Sequence, residues 1–354
     1  MSERNSKSVI ESLQKNIPEL MKKNEVVGLS ISLIENGETI WSQGFGFRNK
    51  EEKLPMLIDT PIEAASLTKT TFAYLVLKYC EEGLFDLDTP LTEYLSEEYL
   101  PNQPNLRFIT ARHVLSHTTG FPNWRPEGGE LEIYFTPGER FSYSGEGYIY
   151  LQKAIEEHIG KGIDQLFKER FFDPLNLKSA SLLWSEEFDD IAAIGYLRDG
   201  KQKNMKPRKA QVAGTLHISA VDYANYMCSL LKMEKTSRYH LNEKSIDEMF
   251  SIVVPVSDAG LSNKHHLPKS AINESDKVFW GLGWGLEKNN KEISFWHWGN
   301  DSSFHHFVIA SREKKSGIVI MSNSEKAPLI WRDILEIGAS EKHPGFEWLM
   351  SFYF

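Results

Sequence analysis

Apolar residues recur along this chain in two rhythms, one of three to four residues and one of two. Near the start, Val9, Ile10, Leu13, Ile17, Leu20 and Met21 stand at helical spacing among charges. With no continuous apolar run, the segment predicts an amphipathic surface helix rather than an export signal. From 26 to 47 (VVGLSISLIENGETIWSQGFGF) apolar and polar positions alternate on both sides of Asn36-Gly37. Asn-Gly accepts positive φ at both turn positions, so a β-hairpin is expected. From Ser66 to Glu82 the rhythm is helical again, with Phe72, Leu75, Val76 and Tyr79 on one face and Gly83 as the stop. Between about 86 and 250, short helical runs alternate with Pro- and Gly-containing loops, and helices are expected at 111–116, 147–159, 163–171 and 219–233. EISFWHWG, SFHHFVIAS and SGIVIMSNS then read as three strands, the last two paired through the turn from Glu313 to Gly317. APLIWRDILEIG (327–338) reads as a closing helix.

Strands near both ends with helices between them predict an α/β (α+β) fold: one antiparallel sheet assembled from N- and C-terminal strands, helices on both faces, and an inserted, mainly helical region. The division expected is a discontinuous sheet domain, 1–85 with 251–354, and a helical insert, 86–250. The polar stretch 255–277 reads as an exposed loop. The aromatic tail HPGFEWLMSFYF is expected to pack against the body, or to meet a second protomer.

Composition narrows the function classes. With 354 residues, 41% of them hydrophobic, the chain supports a large core. A net charge of -9 provides no basic footprint for nucleic acid or an anionic membrane surface. No uninterrupted apolar stretch reaches the ~18 residues of a membrane span. As written, the chain is expected in the cytoplasm. The two cysteines, Cys80 and Cys228, imply no disulfide, and Cys80 lies in an apolar helical run that suits packing. CxxC and HExxH spacings are absent, and the adjacent pairs His265-His266 and His305-His306 would point to opposite faces of a strand. No metal and no cofactor are expected.

Candidate chemistry begins with Ser-x-x-Lys, a step that places both side chains on one helix face. A lysine amine near the hydroxyl takes its proton once burial or a neighbouring cation lowers the amine pKa. The motif occurs at Ser12, Ser66, Ser229 and Ser311. Ser12 and Ser229 lie inside helical runs and Ser311 in a charged turn. Ser66 alone stands where an irregular segment meets a helix start, beside unpaired N–H groups and the positive end of the dipole. A helix N-cap serine has the same local pattern.

Several segments in order then resemble one family. PIEAASLTKTTFAYLVLKYCEEGLFDLDTPLTEYL (61–95), RHVLSHTTGF (112–121), TPGERFSYSGEGYIYLQ (136–152), AGTLHISAVDYANYM (213–227), GLGWGL (281–286) and FWHWGND (295–301) resemble class C β-lactamase-like proteins and low-molecular-weight penicillin-binding proteins. The resemblance spans about residues 8–324. It implies a serine hydrolase acting through a covalent acyl-enzyme on an ester, amide or D-amino-acid peptide bond, with its site between sheet and helical region. It implies Ser66 as nucleophile, Lys69 as its base, Tyr143 as a proton relay and His297 in the third-motif position. The oxyanion would be held by the backbone N–H groups of Ser66 and Asn300, with Gly299 allowing close approach and Gly145 in the substrate-binding second motif. His113 and His117 also match the family, with packing as their expected role.

Two departures bear on substrate choice. Gly145 replaces the asparagine of the family's Tyr-x-Asn motif, which removes an amide hold on penicillin-like substrates. His297 replaces a lysine; being mostly neutral at pH 7, it would grip a carboxylate less strongly. Uncharged esters or amides, or peptides with their carboxylate held elsewhere, are the expected substrates, with weak penicillin binding or β-lactam hydrolysis at most. A G-x-S-x-G elbow is absent, which sets aside an α/β-hydrolase. The remaining alternative is a catalytically silent protein, or a sensor that is acylated without turnover.

Overall fold

The computed structural model describes residues 6–232, 240–261, 267–289, 292–339 and 342–353. Helix α1 (Ser6–Asn24) buries Leu13, Ile17 and Met21, the stripe that its spacing predicts. Strands β1 (Gly28–Glu35) and β2 (Glu38–Asn49) form the hairpin, turned at Asn36 and Gly37 with φ of 52° and 74°. Two short strands, β3 (Leu54–Pro55) and β4 (Ile62–Glu63), lead to a 3-10 turn at Ala65–Leu67. This turn runs directly into α2 (Thr68–Glu81), buried from Thr68 to Tyr79. Gly83, at φ 68°, lies just past its end.

The middle of the chain holds α3 (Ala111–Leu115), α4 (Gly145–Ile159), α5 (Ile163–Phe167), α6 (Glu186–Ile191), β5 (His217–Ile218), α7 (Ala220–Leu231) and α8 (Glu243–Met249). Helix α4 starts before the expected 147 because Ser144 Oγ caps it, accepting from Gly147 N at 3.0 Å. The run expected at 163–171 is divided, α5 passing into a wider π turn at Lys168–Phe172. Residue 233, the expected end of α7, lies outside the described residues.

The C-terminal part supplies β6 (Val254–Ser257), β7 (Glu274–Trp280), β8 (Gly285–Asn289), β9 (Glu292–Asp301), β10 (Phe304–Ser311), β11 (Ser316–Ser322), α9 (Pro328–Gly338) and α10 (Pro344–Met350). Among the described residues nine strands form one sheet in the order β3-β2-β1-β11-β10-β9-β8-β7-β6, with antiparallel pairing. The N-terminal hairpin joins the C-terminal strands through β1 and β11, Leu29 opposite Ser322. The expectation of a loop over 255–277 is corrected: parts of it are strands β6 and β7 at the sheet's far end. Strand β6 is short and buried, whereas β7 is polar because it mostly faces solvent: it buries Val278 and Trp280 but leaves Glu274, Asp276 and Lys277 exposed.

Two cores flank the sheet. One gathers α2 with the mid-chain helices, including Phe72, Tyr148, Trp284, Phe295 and Val308. The other joins the opposite face to α1, α9 and α10, including Leu13, Trp296, Trp298, Trp331 and Phe346. The aromatic tail thus packs on the body as α10. Both cysteines are free and partly buried. His305 and His306 sit on opposite faces, His305 beside Tyr353 and Trp331 and His306 against the Glu63 carbonyl. The His265-His266 pair lies outside the described residues. Among the described residues, none of the helices is long and apolar enough to cross a membrane.

Candidate active site

The sequence leading into α2 sets a nucleophile-like turn. Ala65 has φ 47°, a left-handed backbone that a non-glycine residue adopts at a cost. Ser66 follows it, partly exposed amid buried neighbours. One helical step on, the fully buried Lys69 amine donates to Ser66 Oγ at 3.1 Å and to the Ala213 carbonyl at 2.7 Å. Burial pushes the Lys69 pKa down to about 7.

Tyr143 comes from the loop before α4. Its N donates to Gly260 O at 2.9 Å, and its ring stacks against His117 (4.2 Å between centroids) and Trp298 (4.9 Å). The Lys69 amine lies 5.1 Å from the Tyr143 ring centre. Burial raises the phenol pKa, and the Ser66 side chain offsets part of that rise. Ser66 is therefore close to the phenol, although the buried Tyr143 Oη makes no hydrogen bond of ordinary length. Ser66, Lys69 and Tyr143 thus converge.

His297 is brought beside them but hydrogen-bonds none of the three. Its Nδ1 lies 2.8 Å from Trp298 N and 2.7 Å from Trp298 O, so its neighbour's backbone holds that edge of the ring in either tautomer. Nε2 is buried without a partner. Burial, with a smaller contribution from the Lys69 charge, pushes the ring down to about 3, and it is neutral at physiological pH.

Gly299 and Asn300 follow on β9, where β8 pairs only with Glu292–Trp296. A Cβ at Gly299 would fall 2.5 Å from the Ala64 carbonyl, so glycine here is a matter of close approach between β9 and the Ser66 turn. The imidazole of His306 braces the same junction. Its Nδ1 accepts from Ser322 N at 3.1 Å, leaving Nε2–H to donate to Glu63 O at 2.7 Å. Glu63 is pushed up to about 9 by burial, with a hydrogen bond and charge from Asp301 adding to it.

Gly145 lies beneath the indole of Trp124, whose ring centre is 6.0 Å from the Lys69 amine. His113 packs as part of a capping box with Thr110. His117 does more than fill space: its Nδ1 accepts from Ser144 N at 3.0 Å and its carbonyl accepts from Ser142 N at 2.8 Å, which fixes the backbone on both sides of Tyr143. His117, Trp124 and Ala213 were not legible as site residues. His117 and Ala213 stand in recognisable segments and Trp124 lies between two of them, but only the fold brings the three to Lys69. Among the described residues, there is no cluster of His, Cys, Asp and Glu arranged to hold a metal.

An antiparallel sheet covered on both faces, with a buried helix that opens on Ser-x-x-Lys beside β9, defines the serine hydrolase fold of penicillin-binding proteins and β-lactamases. The chain belongs to the Beta-lactamase family, whose model matches residues 13–337. It is 24% identical over 328 residues to protein flp of Staphylococcus aureus, covering 87% of this chain but only 62% of that protein's length. An uncharacterized protein of Alkalihalophilus pseudofirmus is 24% identical over 264 residues, 72% of this chain and 73% of its own. Among solved structures, an octameric penicillin-binding protein homologue from Pyrococcus abyssi superposes with TM-score 0.76 at 24% identity, covering 94% of this chain and 77% of that one. A β-lactamase/D-alanine carboxypeptidase from Pseudomonas syringae gives TM-score 0.76 at 16% identity, over 95% and 99% of the two chains. These likenesses carry the fold.

Proposed function

We propose that the chain hydrolyses an uncharged ester or amide through a covalent acyl-enzyme on Ser66, at the junction of the sheet part (1–85 and 251–354) and the helical part (86–250). The observation that carries this reading is the buried Lys69 amine, 3.1 Å from Ser66 Oγ and with its pKa lowered to about 7. A substantial fraction of the amine is then neutral at physiological pH and can accept the serine proton.

In the first half-reaction Ser66 Oγ gives its proton to neutral Lys69 and bonds to the acyl carbon. The developing oxyanion lies between the backbone N–H groups of Ser66 and Asn300. The bond to the leaving group then breaks, and that group takes a proton through Tyr143 Oη. Because burial keeps the phenol protonated, Tyr143 acts as a donor and relay. Water reverses the sequence: its proton passes to the same pair, its oxygen bonds to the acyl carbon, and Ser66 leaves with its hydroxyl restored.

The charge around the site favours uncharged substrates. Lys69 is poised to be neutral, and His297 is neutral where the resembled motif commonly has lysine. Labelling with a fluorescent phosphonate, followed by mapping of the modified residue, tests the reading. Label on Ser66, lost in Ser66→Ala, is expected; label elsewhere overturns it. Intact-mass measurements over time show whether the acyl adduct clears, as a turning-over hydrolase requires.

A further inference from the structure

Trp124 explains why position 145 carries no side chain. A Cβ there would lie 2.7 Å from Cη2, 2.8 Å from Cζ3 and 3.0 Å from Cζ2 of the indole. The ring therefore fills the volume into which a residue at 145 would grow. Gly145 is not among the residues with positive φ, so close approach, not backbone strain, calls for glycine.

The segment carrying Trp124 is pinned to the first turn of α4. Gly145 N donates to the Asn123 carbonyl at 2.9 Å and to Asn123 Oδ1 at 3.0 Å, and Glu146 N donates to the same carbonyl at 3.1 Å. From the other side of the tryptophan, Arg125 N donates to Glu146 Oε1 at 3.0 Å. The residues flanking the indole are thus fixed before any substrate arrives, while the side chain itself stays 49% exposed. A large aromatic surface held at the rim of a buried lysine presents a preorganised plate.

We infer that Trp124 is the wall of an acyl-group subsite that takes a flat, uncharged, aromatic acyl substituent; this rests on the hydrolase reading of Ser66. A carbonyl carbon on Ser66 Oγ has three other directions. Its oxygen turns to the Ser66 and Asn300 backbone, and its leaving group to Tyr143. The acyl substituent is the group left to meet Trp124, whose ring centre lies 6.0 Å from the Lys69 amine. Arg125, the nearby cation, is matched by Glu146 at 3.8 Å, so the subsite offers stacking rather than a grip on a carboxylate.

The test uses two p-nitrophenyl esters, acetyl and phenylacetyl, so that only the acyl part differs. The wild type favours phenylacetyl in kcat/KM. Trp124→Ala lowers the phenylacetyl-to-acetyl ratio by about tenfold, as loss of one aromatic stacking partner and its buried area predicts. Gly145→Ala, whose new Cβ drives the half-exposed indole from its seat, lowers the ratio similarly, and the double variant goes no further than either single one. Trp124→Phe retains most of the preference. An unchanged ratio in Trp124→Ala, additive single effects, or a change seen only when the leaving group is varied each overturns the subsite. Ser66→Ala separates the two levels. If it hydrolyses both esters like wild type, the hydrolase reading falls and this inference with it. If it is inactive and the ratio ignores Trp124, the inference alone falls.

Discussion

The Lys69 amine is held 2.7 Å from the carbonyl oxygen of Ala213, a residue 144 positions away in the chain. A carbonyl orients the amine toward Ser66 without supplying the negative charge that would keep it protonated. With burial unopposed, the amine falls from its ordinary value near 10.5 to about 7. The acid limb of kcat/KM for a neutral ester should therefore rise with pH, reach half its limit near pH 7, and level off above. A pH–rate profile checks this; a midpoint near 10 refutes the lowered pKa, and an acid limb that persists unchanged in Lys69→Arg excludes Lys69 as the titrating base.

The same shift makes Lys69 a source of pH-dependent stability. Between about 7 and 10.5 the unfolded chain holds a proton on this lysine that the folded protein has released. Stability thus rises with pH across that window, by up to about 1.4 kcal/mol per unit. Below the window both states carry the proton, and the folded protein bears the full cost of a buried cation. Lys69→Met should be inactive yet more stable than wild type at pH 6, and the gap should narrow toward pH 10. Urea unfolding of both proteins at the two pH values measures the difference; a constant gap refutes the assignment.

Tyr143→Phe separates chemistry from folding. The phenol oxygen is buried and makes no ordinary hydrogen bond, so its removal leaves no partner unsatisfied. The variant should melt at or above the wild-type temperature while kcat falls by about a hundredfold or more. Retained activity would remove the phenol from the proton path.

The architecture was legible because it rests on periodicity: the α1 stripe, the Asn36-Gly37 turn, and the long apolar strands β9 to β11 all lie where their patterns place them. Strands β6 and β7 were not: β6 is four residues long and interrupted by Pro255, and β7 is a polar, solvent-facing strand with the composition of a loop. At the site, the spacing of Ser66 and Lys69 is a local helical fact, so the chain alone could announce it. The approach of Trp124 to Gly145, of His117 to Ser144, and of Ala213 to Lys69 is set by tertiary packing. For position 145 the sequence shows only a missing amide. The structure shows what stands in its place.

Glu63 provides a second pH signature, opposite in sign. It leads into the Ser66 turn, and burial, reinforced by Asp301, pushes it from an ordinary value near 4.5 up to about 9. Between those limits the folded protein holds a proton that the unfolded chain lacks, so this residue's contribution to stability is full below the window and is lost as pH rises through it. Glu63→Gln mimics the protonated acid and should match wild type near pH 5. At pH 8 it should be more stable than wild type by more than about 1 kcal/mol. Lys69 is common to both proteins, so its opposing slope cancels in the comparison. Denaturant titrations at pH 5 and 8 decide the matter: equal gaps at the two pH values would mean that Glu63 is already ionised in the folded protein despite its burial beside Asp301.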